Sequence, residues 1–267
     1  MAKKAAGGLP FVWLFGVVSL IVALPFGIHA GLQHAEQLNA VAWLAVAASA
    51  LVHAVYSLVL QKGYRESDFS LVYPLARGTG PLFAVLGAIL LLGETPNLPG
   101  WLGIFAIVCG VLLISGFART LAAPSPQIRA GLLWGSLTGL SIAAYTLIDG
   151  WAIKHLGLTP VLYYFLGLCL RTTLLTPQAL LDLPSVRMQW QRNRRHIIAV
   201  GILSPLAYSL ILFAMTEAPL SYIAPAREIS MLAGVLIGAN LLREGLTASR
   251  LLGTAAMVGG VILLALA

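Results

Sequence analysis

The sequence predicts an all-α integral membrane protein with nine transmembrane helices in two inverted repeats. Three observations support this prediction. Of the 267 residues, 59% are hydrophobic and only 9% are charged, whereas soluble domains carry about 25% charged residues. The apolar residues fall into runs long enough to cross a bilayer, and the two halves of the chain match at an offset of 150 residues. Cytosolic enzymes, disulfide-rich secreted domains and disordered chains are therefore excluded.

Nine segments meet the length requirement for a transmembrane helix. A bilayer core of about 30 Å needs about 20 apolar residues in a helix. The predicted spans cover, in order, residues 11–30, 39–61, 69–92, 99–117, 130–151, 159–180, 197–216, 219–242 and 248–266. The one long connecting segment runs from Asp182 to His196 and carries four arginines.

The basic residues are distributed unequally between the two sides of the membrane, and this distribution predicts the orientation of the spans. Twelve of the sixteen lysines and arginines are assigned to the N-terminal side of the membrane, because they lie before the first span, after an even-numbered one or, for Arg250, at the start of the ninth: Lys3, Lys4, Lys62, Arg65, Arg119, Arg129, Arg187, Arg192, Arg194, Arg195, Arg243 and Arg250. Lys154 lies on the opposite side, and the remaining three, Arg77, Arg171 and Arg227, fall well inside spans. Because positive residues collect in cytoplasmic loops, we expect a cytoplasmic N-terminus and an external C-terminus in the cell (inner) membrane. Because the basic residues lie mostly between apolar runs on one side of the membrane, the net charge of +7 does not indicate a nucleic-acid partner.

Equivalent positions in the two halves share charged and glycine residues. Apolar matches carry little information in a chain this rich in leucine and alanine, but matched arginines, glutamates and glycines at one offset indicate a duplication. The matched pairs are Arg77 and Arg227, Glu94 and Glu244, Gly103 and Gly253, and Gly110 and Gly260.

The duplication predicts two repeats, residues 1–118 and residues 119–267. The second repeat has five predicted spans and the first has four, because the counterpart of span 130–151 would precede Lys4. A unit with an odd number of spans inserts the next unit upside down, so the repeats are expected to be inverted. The chain is then either a natural nine-helix variant or one whose start is placed downstream of the true start.

Two motifs give the chain a family resemblance. One is the run SLVYPLARG, from Ser70 to Gly78, and the other is the glutamate with spaced glycines that occurs in both halves. With these motifs the chain resembles the drug/metabolite transporter superfamily in its EamA-type branch. The resemblance implies two inverted five-helix repeats and transport of small metabolites or drugs by alternating access, as a secondary carrier or exporter. A lipid-linked flippase of the same fold is the main alternative, followed by a membrane-embedded enzyme or an inactive truncated protein.

Three charged residues inside the predicted spans are candidates for the substrate path. Arg77 and Arg227 lie about eight residues into equivalent helices, or about 12 Å deep. Such arginines normally face protein or a water-filled cavity, where they either bind a carboxylate or phosphate of the solute or stabilise packing. Glu228 is a candidate for proton coupling, with a structural ion pair to an arginine as the alternative.

Four tyrosines complete the substrate-path candidates: Tyr56 and Tyr208 at matched positions, and Tyr73 and Tyr222 close to the two arginines. Tyrosines suit a cavity for amphipathic solutes and suit the membrane interface equally well. Asp149, five residues before Lys154, is predicted to be interfacial, with a role in a vestibule left open.

The sequence predicts no cofactor, no metal and no enzymatic activity. Nucleotide-binding, hydrolase and zinc-protease motifs are absent from it, and its histidines have no metal-binding spacing. His53, alone within a span, is expected to be a packing residue. The expected partners are therefore a small-molecule substrate, the lipid bilayer and, through Glu228, a coupling proton.

Overall fold

The computed structural model describes residues 8–67, 69–115, 125–230 and 248–267. In these ranges every regular element is helical, which confirms the predicted all-α fold class. The α-helices of the described ranges are α1 (Gly8–His34), α2 (Ala40–Glu66), α3 (Phe69–Leu92), α4 (Leu98–Ser115), α5 (Pro126–His155), α6 (Pro160–Leu181), α7 (Leu183–Glu217), α8 (Leu220–Ala226) and α9 (Ala248–Ala265). Short 3-10 helices, Ala35–Gln37 and Arg227–Ile229, follow α1 and α8.

Each predicted span overlaps one of these helices, and one connecting segment differs from its prediction. Residues 182–196 do not form a separate connection, because α7 begins at Leu183 and continues to Glu217. Proline is tolerated in the first turn of a helix, where Pro184 lies, and the arginines and glutamines that follow are strong helix formers. Residues 231–242 of the eighth span lie outside the described residues.

Several of the helices have the length and composition of membrane spans. Among the described residues, five segments are long and apolar enough to cross a bilayer: Gly8–Gln37, Ala40–Glu66, Leu75–Leu92, Pro126–His155 and Leu183–Glu217. Leu98–Ile114 and Leu251–Ala265 are shorter apolar helices. Large apolar side chains such as Leu32, Leu90 and Phe105 are 70–83% exposed, as a surface that faces lipid requires.

The chain forms two compact units, and each unit draws on both halves of the sequence. The first unit consists of Met1–Arg65 and Ile148–Glu217, and the second of Glu66–Leu147 and Ala218–Ala267. The first therefore contains α1, α2, α6 and α7, whereas the second contains α3, α4, α8 and α9. Helix α5 contributes its first part to the second unit and its last turns to the first.

In the second unit, the equivalent helices α4 and α9 pack backbone against backbone in opposite directions. A Cβ atom on Gly103 would lie 2.8 Å from the carbonyl oxygen of Gly260, and one on Gly110 would lie 2.6 Å from that of Gly253. The reciprocal distances, from Gly260 and Gly253, are 2.8 and 2.7 Å. Because the earlier glycine of one helix meets the later glycine of the other, the helices are antiparallel. These four glycines are the ones that the duplication relates, so this pair has the arrangement expected of inverted repeats.

The first unit has the same relationship between α1 and α6. The indole nitrogen of Trp13, early in α1, donates a hydrogen bond to Thr176 late in α6, at 3.0 Å. Gly27, late in α1, faces the ring of Phe165 early in α6, where a Cβ atom would clash. These contacts make α1 and α6 antiparallel, and the repeat offset relates the two helices. Each unit thus contains an inverted pair of equivalent helices.

The start of α8 is fixed by a carboxylate from the end of α3. Glu94 accepts hydrogen bonds from the backbone amides of Leu220 and Ser221, at 2.7 and 2.8 Å. A negative charge is stabilised at a helix N-terminus, where backbone amides lack carbonyl partners. Glu94, singled out as part of a repeated motif, therefore caps the helix that leads to Arg227.

Candidate functional site

The second unit contains an ion pair between two of the predicted path residues. Arg77, on α3, donates from Nη1 to Oε1 of Glu228, in the 3-10 helix after α8, at 3.1 Å. Glu228 is 3% exposed, and its second carboxylate oxygen, Oε2, has no hydrogen-bond partner among the described residues. The guanidinium of Arg77 also lies 5.4 Å from the ring centroid of Tyr73. The pair matches the ion-pair interpretation of Glu228, formed with the arginine of the other repeat.

The equivalent arginine, Arg227, has different partners. Its guanidinium donates hydrogen bonds to the hydroxyls of Thr146 and Tyr145 on α5, at 3.1 and 3.3 Å. It also lies 6.0 Å from the ring centroid of Tyr145. Arg227 and Glu228 are neighbours in the chain, and the hydrogen bond to Glu228 comes from Arg77. The repeat symmetry of the sequence is thus broken at the two arginines.

The predicted tyrosines are not gathered in one place. Tyr73 contacts Arg77, whereas the hydroxyl of Tyr222 lies 3.4 Å from both the side-chain oxygen and the backbone nitrogen of Asn97 before α4. Tyr222 therefore contacts the residue that precedes α4. Tyr208, on α7, belongs to a polar cluster in the first unit. Tyr56 is half-buried on α2, outside the residues that line the cavities described below.

Asp149 was expected at the interface, and that expectation is wrong. Its side chain is 0% exposed and accepts hydrogen bonds from the hydroxyls of Ser49, Tyr163 (2.7 Å) and Tyr208. Closeness to Lys154 in the sequence does not place Asp149 on the same face of α5. At about 100° per residue, five residues place two side chains about 140° apart around a helix. Lys154 is exposed, so Asp149 lies on the buried face.

His53 joins this cluster through Ser49. Its Nδ1 lies 3.0 Å from the carbonyl oxygen of Ser49, to which it donates, and 3.2 Å from the Ser49 hydroxyl. Its ring meets that of Tyr208 edge to face, with centroids 5.3 Å apart. His53 is therefore a hydrogen-bonded packing residue, as expected, but it packs beside the buried carboxylate. The sequence does show isolated polar residues within the apolar helices α2, α5, α6 and α7. Their spacing along the chain does not show that these side chains meet in one cluster.

Among the cavities of the first unit, two share Tyr164 in their walls. The smaller has a volume of about 20 Å³ and is bordered by Asp149, His53, Arg171 and Tyr208. The larger has a volume of about 550 Å³, between α1, α6 and α7, and is lined mostly by apolar side chains, with a few polar groups from His29, Gln33, Thr159, Tyr164 and Ser209. The Tyr164 hydroxyl is buried and lies near the Ser204 side chain.

Metal binding is not supported by the part of the chain that the structure describes. No group of three or more histidine, cysteine, aspartate or glutamate side chains in that part could hold a metal ion. Cys109 and Cys169 are free cysteines, both partly buried.

Comparison with known proteins assigns the fold to a family. The family model described as EamA-like transporter family matches residues 1–116 and 129–266. The chain belongs to the EamA-like transporter family. This confirms the resemblance derived from the SLVYPLARG run and from the repeated glutamate and glycines, and it makes the chain a multi-pass membrane protein of a transporter family rather than of an enzyme family.

A solved structure shares the fold of this chain. One crystal structure of a protein matches with a TM-score of 0.75 and 17% sequence identity, over 99% of this chain and 92% of that chain. At this identity the likeness concerns the fold alone. No curated protein matches this EamA-like chain in sequence.

Proposed function

We propose that this EamA-like protein is a secondary carrier, or exporter, of a small amphipathic metabolite or drug, working by alternating access between its inverted repeats. The observation that carries the proposal is the cavity of about 550 Å³ among α1, α6 and α7. Binding sites for small molecules have volumes of about 300–1,000 Å³, mostly apolar walls and a few polar groups that orient the ligand. The cavity has this size and composition, and two of the helices around it, α1 and α7, are long and apolar enough to cross a membrane.

The buried charges of the second unit support the same function. Charged side chains inside membrane-spanning helices are costly and usually mark a solute or ion path. Arg77 already binds a carboxylate, that of Glu228. The hydroxyls that accept hydrogen bonds from Arg227 are neutral. We assign contact with an anionic group of the solute to Arg227, which lies near the buried Glu228 carboxylate and donates to two hydroxyls of α5, with Arg77 and Glu228 as the supporting ion pair.

For orientation, we propose the inner membrane with a cytoplasmic N-terminus. The four arginines from Arg187 to Arg195 are exposed on the first turns of α7. Exposed basic residues at a helix end suit the cytoplasmic surface, where they contact anionic lipid.

The experiment that tests this function is uptake into liposomes containing the purified full-length chain. The panel of labelled solutes contains an aromatic amino acid, a nucleoside, a purine base and an organic cation, each tested with and without a proton gradient. We expect saturable uptake of at least one solute, lost in Arg227→Ala and kept in Arg192→Ala, which removes an exposed arginine of α7. Failure of every solute, under both conditions, would contradict the carrier function.

A lipid-linked flippase is the second candidate, because the larger cavity borders the lipid-facing surface. Phe26 and Leu206, which line this cavity, are 64% and 59% exposed. A ligand with an acyl chain could therefore enter sideways from the bilayer. A head-group scrambling assay in the same liposomes distinguishes the two functions, since a flippase equilibrates labelled lipids between leaflets and a solute carrier does not.

A further inference from the structure

We propose that a cavity at one end of the first unit binds the phosphate head group of an anionic phospholipid. The cavity has a volume of about 510 Å³ and lies where α1 begins, α2 ends and α7 begins. It shares no lining residue with the two cavities whose walls contain Tyr164. The proposal does not depend on the carrier function, because it concerns a lipid that surrounds the protein rather than a transported solute.

The position of the cavity places it at the surface of the bilayer. Gly8–Gln37, Ala40–Glu66 and Leu183–Glu217 are each long and apolar enough to span a membrane. The cavity is lined by the first turn of the first segment, the last turns of the second and the first turns of the third. The ends of spanning helices lie at the level of the lipid head groups. A lipid phosphate is therefore within reach of the cavity.

Four residues of α2 form one continuous face along the cavity: Leu58, Gln61, Lys62 and Arg65. Their spacing of three and four residues places them on the same side of the helix. Leu58 lies farthest from the end of α2 at Glu66, and the two cationic residues lie closest to it. The face therefore changes from apolar to cationic towards the membrane surface, which matches an amphiphile with an anionic head.

Gln61 supplies the observation that points to a ligand. It is 5% exposed, and its side chain borders the cavity. Its amide makes no hydrogen bond with any residue that the structure describes. A buried amide without a partner is costly, and buried polar groups in proteins are nearly always hydrogen-bonded. A phosphate oxygen in the cavity would accept a hydrogen bond from this amide and supply the partner.

The charges around the cavity favour an anion. Lys62 and Arg65 contribute two positive charges and Asp182 contributes one negative charge. The Asp182 carboxylate is already engaged, because Oδ1 accepts from the backbone amide of Ser185 in the first turn of α7, at 3.2 Å. Arg65 reaches the start of α1, where a Cβ atom on Gly8 would lie 3.8 Å from its Nη1. Since the N-terminus of a long helix is also positive, the guanidinium and the helix end attract the same anion.

The apolar part of the wall favours a lipid over a soluble phosphate. Leu9 and Pro10 of α1, Leu58 of α2 and Met188 of α7 line the cavity beside the polar groups. Leu58 and Met188 are 37% and 41% exposed, so they offer apolar surface to the glycerol and the first acyl carbons of a lipid. Burial of such surface stabilises a bound lipid and adds nothing to the binding of inorganic phosphate.

The first test measures lipid binding directly. Purified, delipidated full-length protein in a mild detergent is titrated with phosphatidylglycerol or phosphatidylcholine, and bound lipids are counted by native mass spectrometry. The two lipids share their chains and their phosphate, and phosphatidylglycerol alone carries a net negative charge. We expect one phosphatidylglycerol to bind at concentrations at which phosphatidylcholine does not. Equal binding of the two lipids overturns the proposal.

Variants assign the bound lipid to this cavity. Arg65→Gln removes the guanidinium, and Gln61→Met removes the amide at nearly the same side-chain volume. Each should weaken phosphatidylglycerol binding about tenfold or more, as expected for the loss of a hydrogen bond to a charged group. The matched control Arg192→Gln removes an exposed arginine of α7 outside the cavity and should bind as the wild type does. If Arg192→Gln loses as much affinity as Arg65→Gln, the lipid is attracted to surface charge in general and the proposal fails.

Protection of a single thiol keeps the test decisive if Gln61→Met does not fold. In a Cys109→Ala, Cys169→Ala background, Met188→Cys places one thiol on the cavity wall and Arg192→Cys places one outside it. Phosphatidylglycerol should slow maleimide labelling of Met188→Cys and leave that of Arg192→Cys unchanged, whereas phosphatidylcholine should slow neither. Unchanged labelling of Met188→Cys overturns the proposal. Equal slowing by glycerol phosphate alone would assign the cavity to a soluble phosphate and overturn it as well.

Discussion

Glu228 accepts its hydrogen bond from Arg77, 151 positions earlier in the chain, at 3.1 Å, although Arg227 is its immediate neighbour. The two arginines occupy equivalent positions of the duplicated sequence, yet one binds a carboxylate and the other binds the hydroxyls of Thr146 and Tyr145. Equivalent arginines therefore have different partners, and we expect their variants to differ in stability and in transport.

Loss of Arg77 should destabilise the protein. Arg77→Ala leaves the Glu228 carboxylate buried without its guanidinium, and breaking a buried pair costs about 3–5 kcal/mol. We expect the lower end of that range, because the Arg77 side chain is 30% exposed. The double variant Arg77→Ala with Glu228→Gln should regain part of the loss, measured as the Tm in detergent. A single variant as stable as the wild type would show that the pair contributes nothing to folding.

Loss of Arg227 should affect transport more than stability. Its hydrogen-bond acceptors, Thr146 and Tyr145, are uncharged, and Glu228 keeps its hydrogen bond from Arg77 when the Arg227 guanidinium is removed, so we expect a cost of about 1–3 kcal/mol. Uptake should be abolished in Arg227→Ala while membrane insertion and yield remain. Arg227→Lys should restore little, since an ammonium cannot make the two parallel hydrogen bonds of a guanidinium. Equal loss of folded protein in Arg77→Ala and Arg227→Ala would instead assign both arginines to packing.

The contact between α4 and α9 predicts opposite outcomes for two adjacent glycines. A methyl group on Gly260 would lie 2.7 Å from Cγ1 of Ile107 and 2.8 Å from the Gly103 carbonyl oxygen, whereas one on Gly259 would meet nothing within 4 Å. Gly260→Ala should therefore lower the free energy of unfolding by about 1–3 kcal/mol. Gly259→Ala should be neutral or stabilise by up to about 1 kcal/mol, because alanine favours a helix. Thermal unfolding measures both, and equal Tm values would contradict the close packing.

The cap on α8 can be removed without touching either arginine. Glu94→Ala deprives the amides of Leu220 and Ser221 of their acceptor and should cost about 0.5–2 kcal/mol. Glu36→Ala, at a carboxylate whose side chain is 71% exposed, serves as the control and should leave the Tm unchanged. If both variants unfold at the same temperature, the cap does not stabilise α8.

The proposed orientation can be read from labelling of single cysteines. In a Cys109→Ala, Cys169→Ala background, Arg192→Cys and Lys154→Cys each place one thiol at an exposed position. An impermeant maleimide should label Lys154→Cys on intact cells and Arg192→Cys only after the cells are opened. The reverse pattern would invert the topology.

The helices were predictable from the sequence because helix formation depends mainly on residues that are close together in the chain. Runs of apolar residues define their lengths, and the glycines matched at the 150-residue offset, such as Gly103 and Gly253, are the ones that bring α4 and α9 together. The segment before Ile197 was less predictable. Its charged arginines indicated a loop outside the membrane, but arginine also has a high helix propensity, and α7 already begins at Leu183.

The site was predictable only in part, since it depends on which side chains meet. The depth of Arg77, Arg227 and Glu228 predicted that they would need partners, but not which ones. Asp149 was missed because its burial depends on hydroxyls from three other helices, at positions 49, 163 and 208. No spacing within one helix encodes such a convergence.

Alternating access by this EamA-like chain is tested most directly by counterflow. Liposomes containing the purified protein are loaded with the unlabelled panel solute and placed in a trace of the labelled one. A carrier that exposes one site alternately to each side predicts transient accumulation of label above equilibrium, absent from protein-free liposomes and from Arg227→Ala. Label that only equilibrates, at a rate unaffected by the internal solute, would contradict a carrier mechanism.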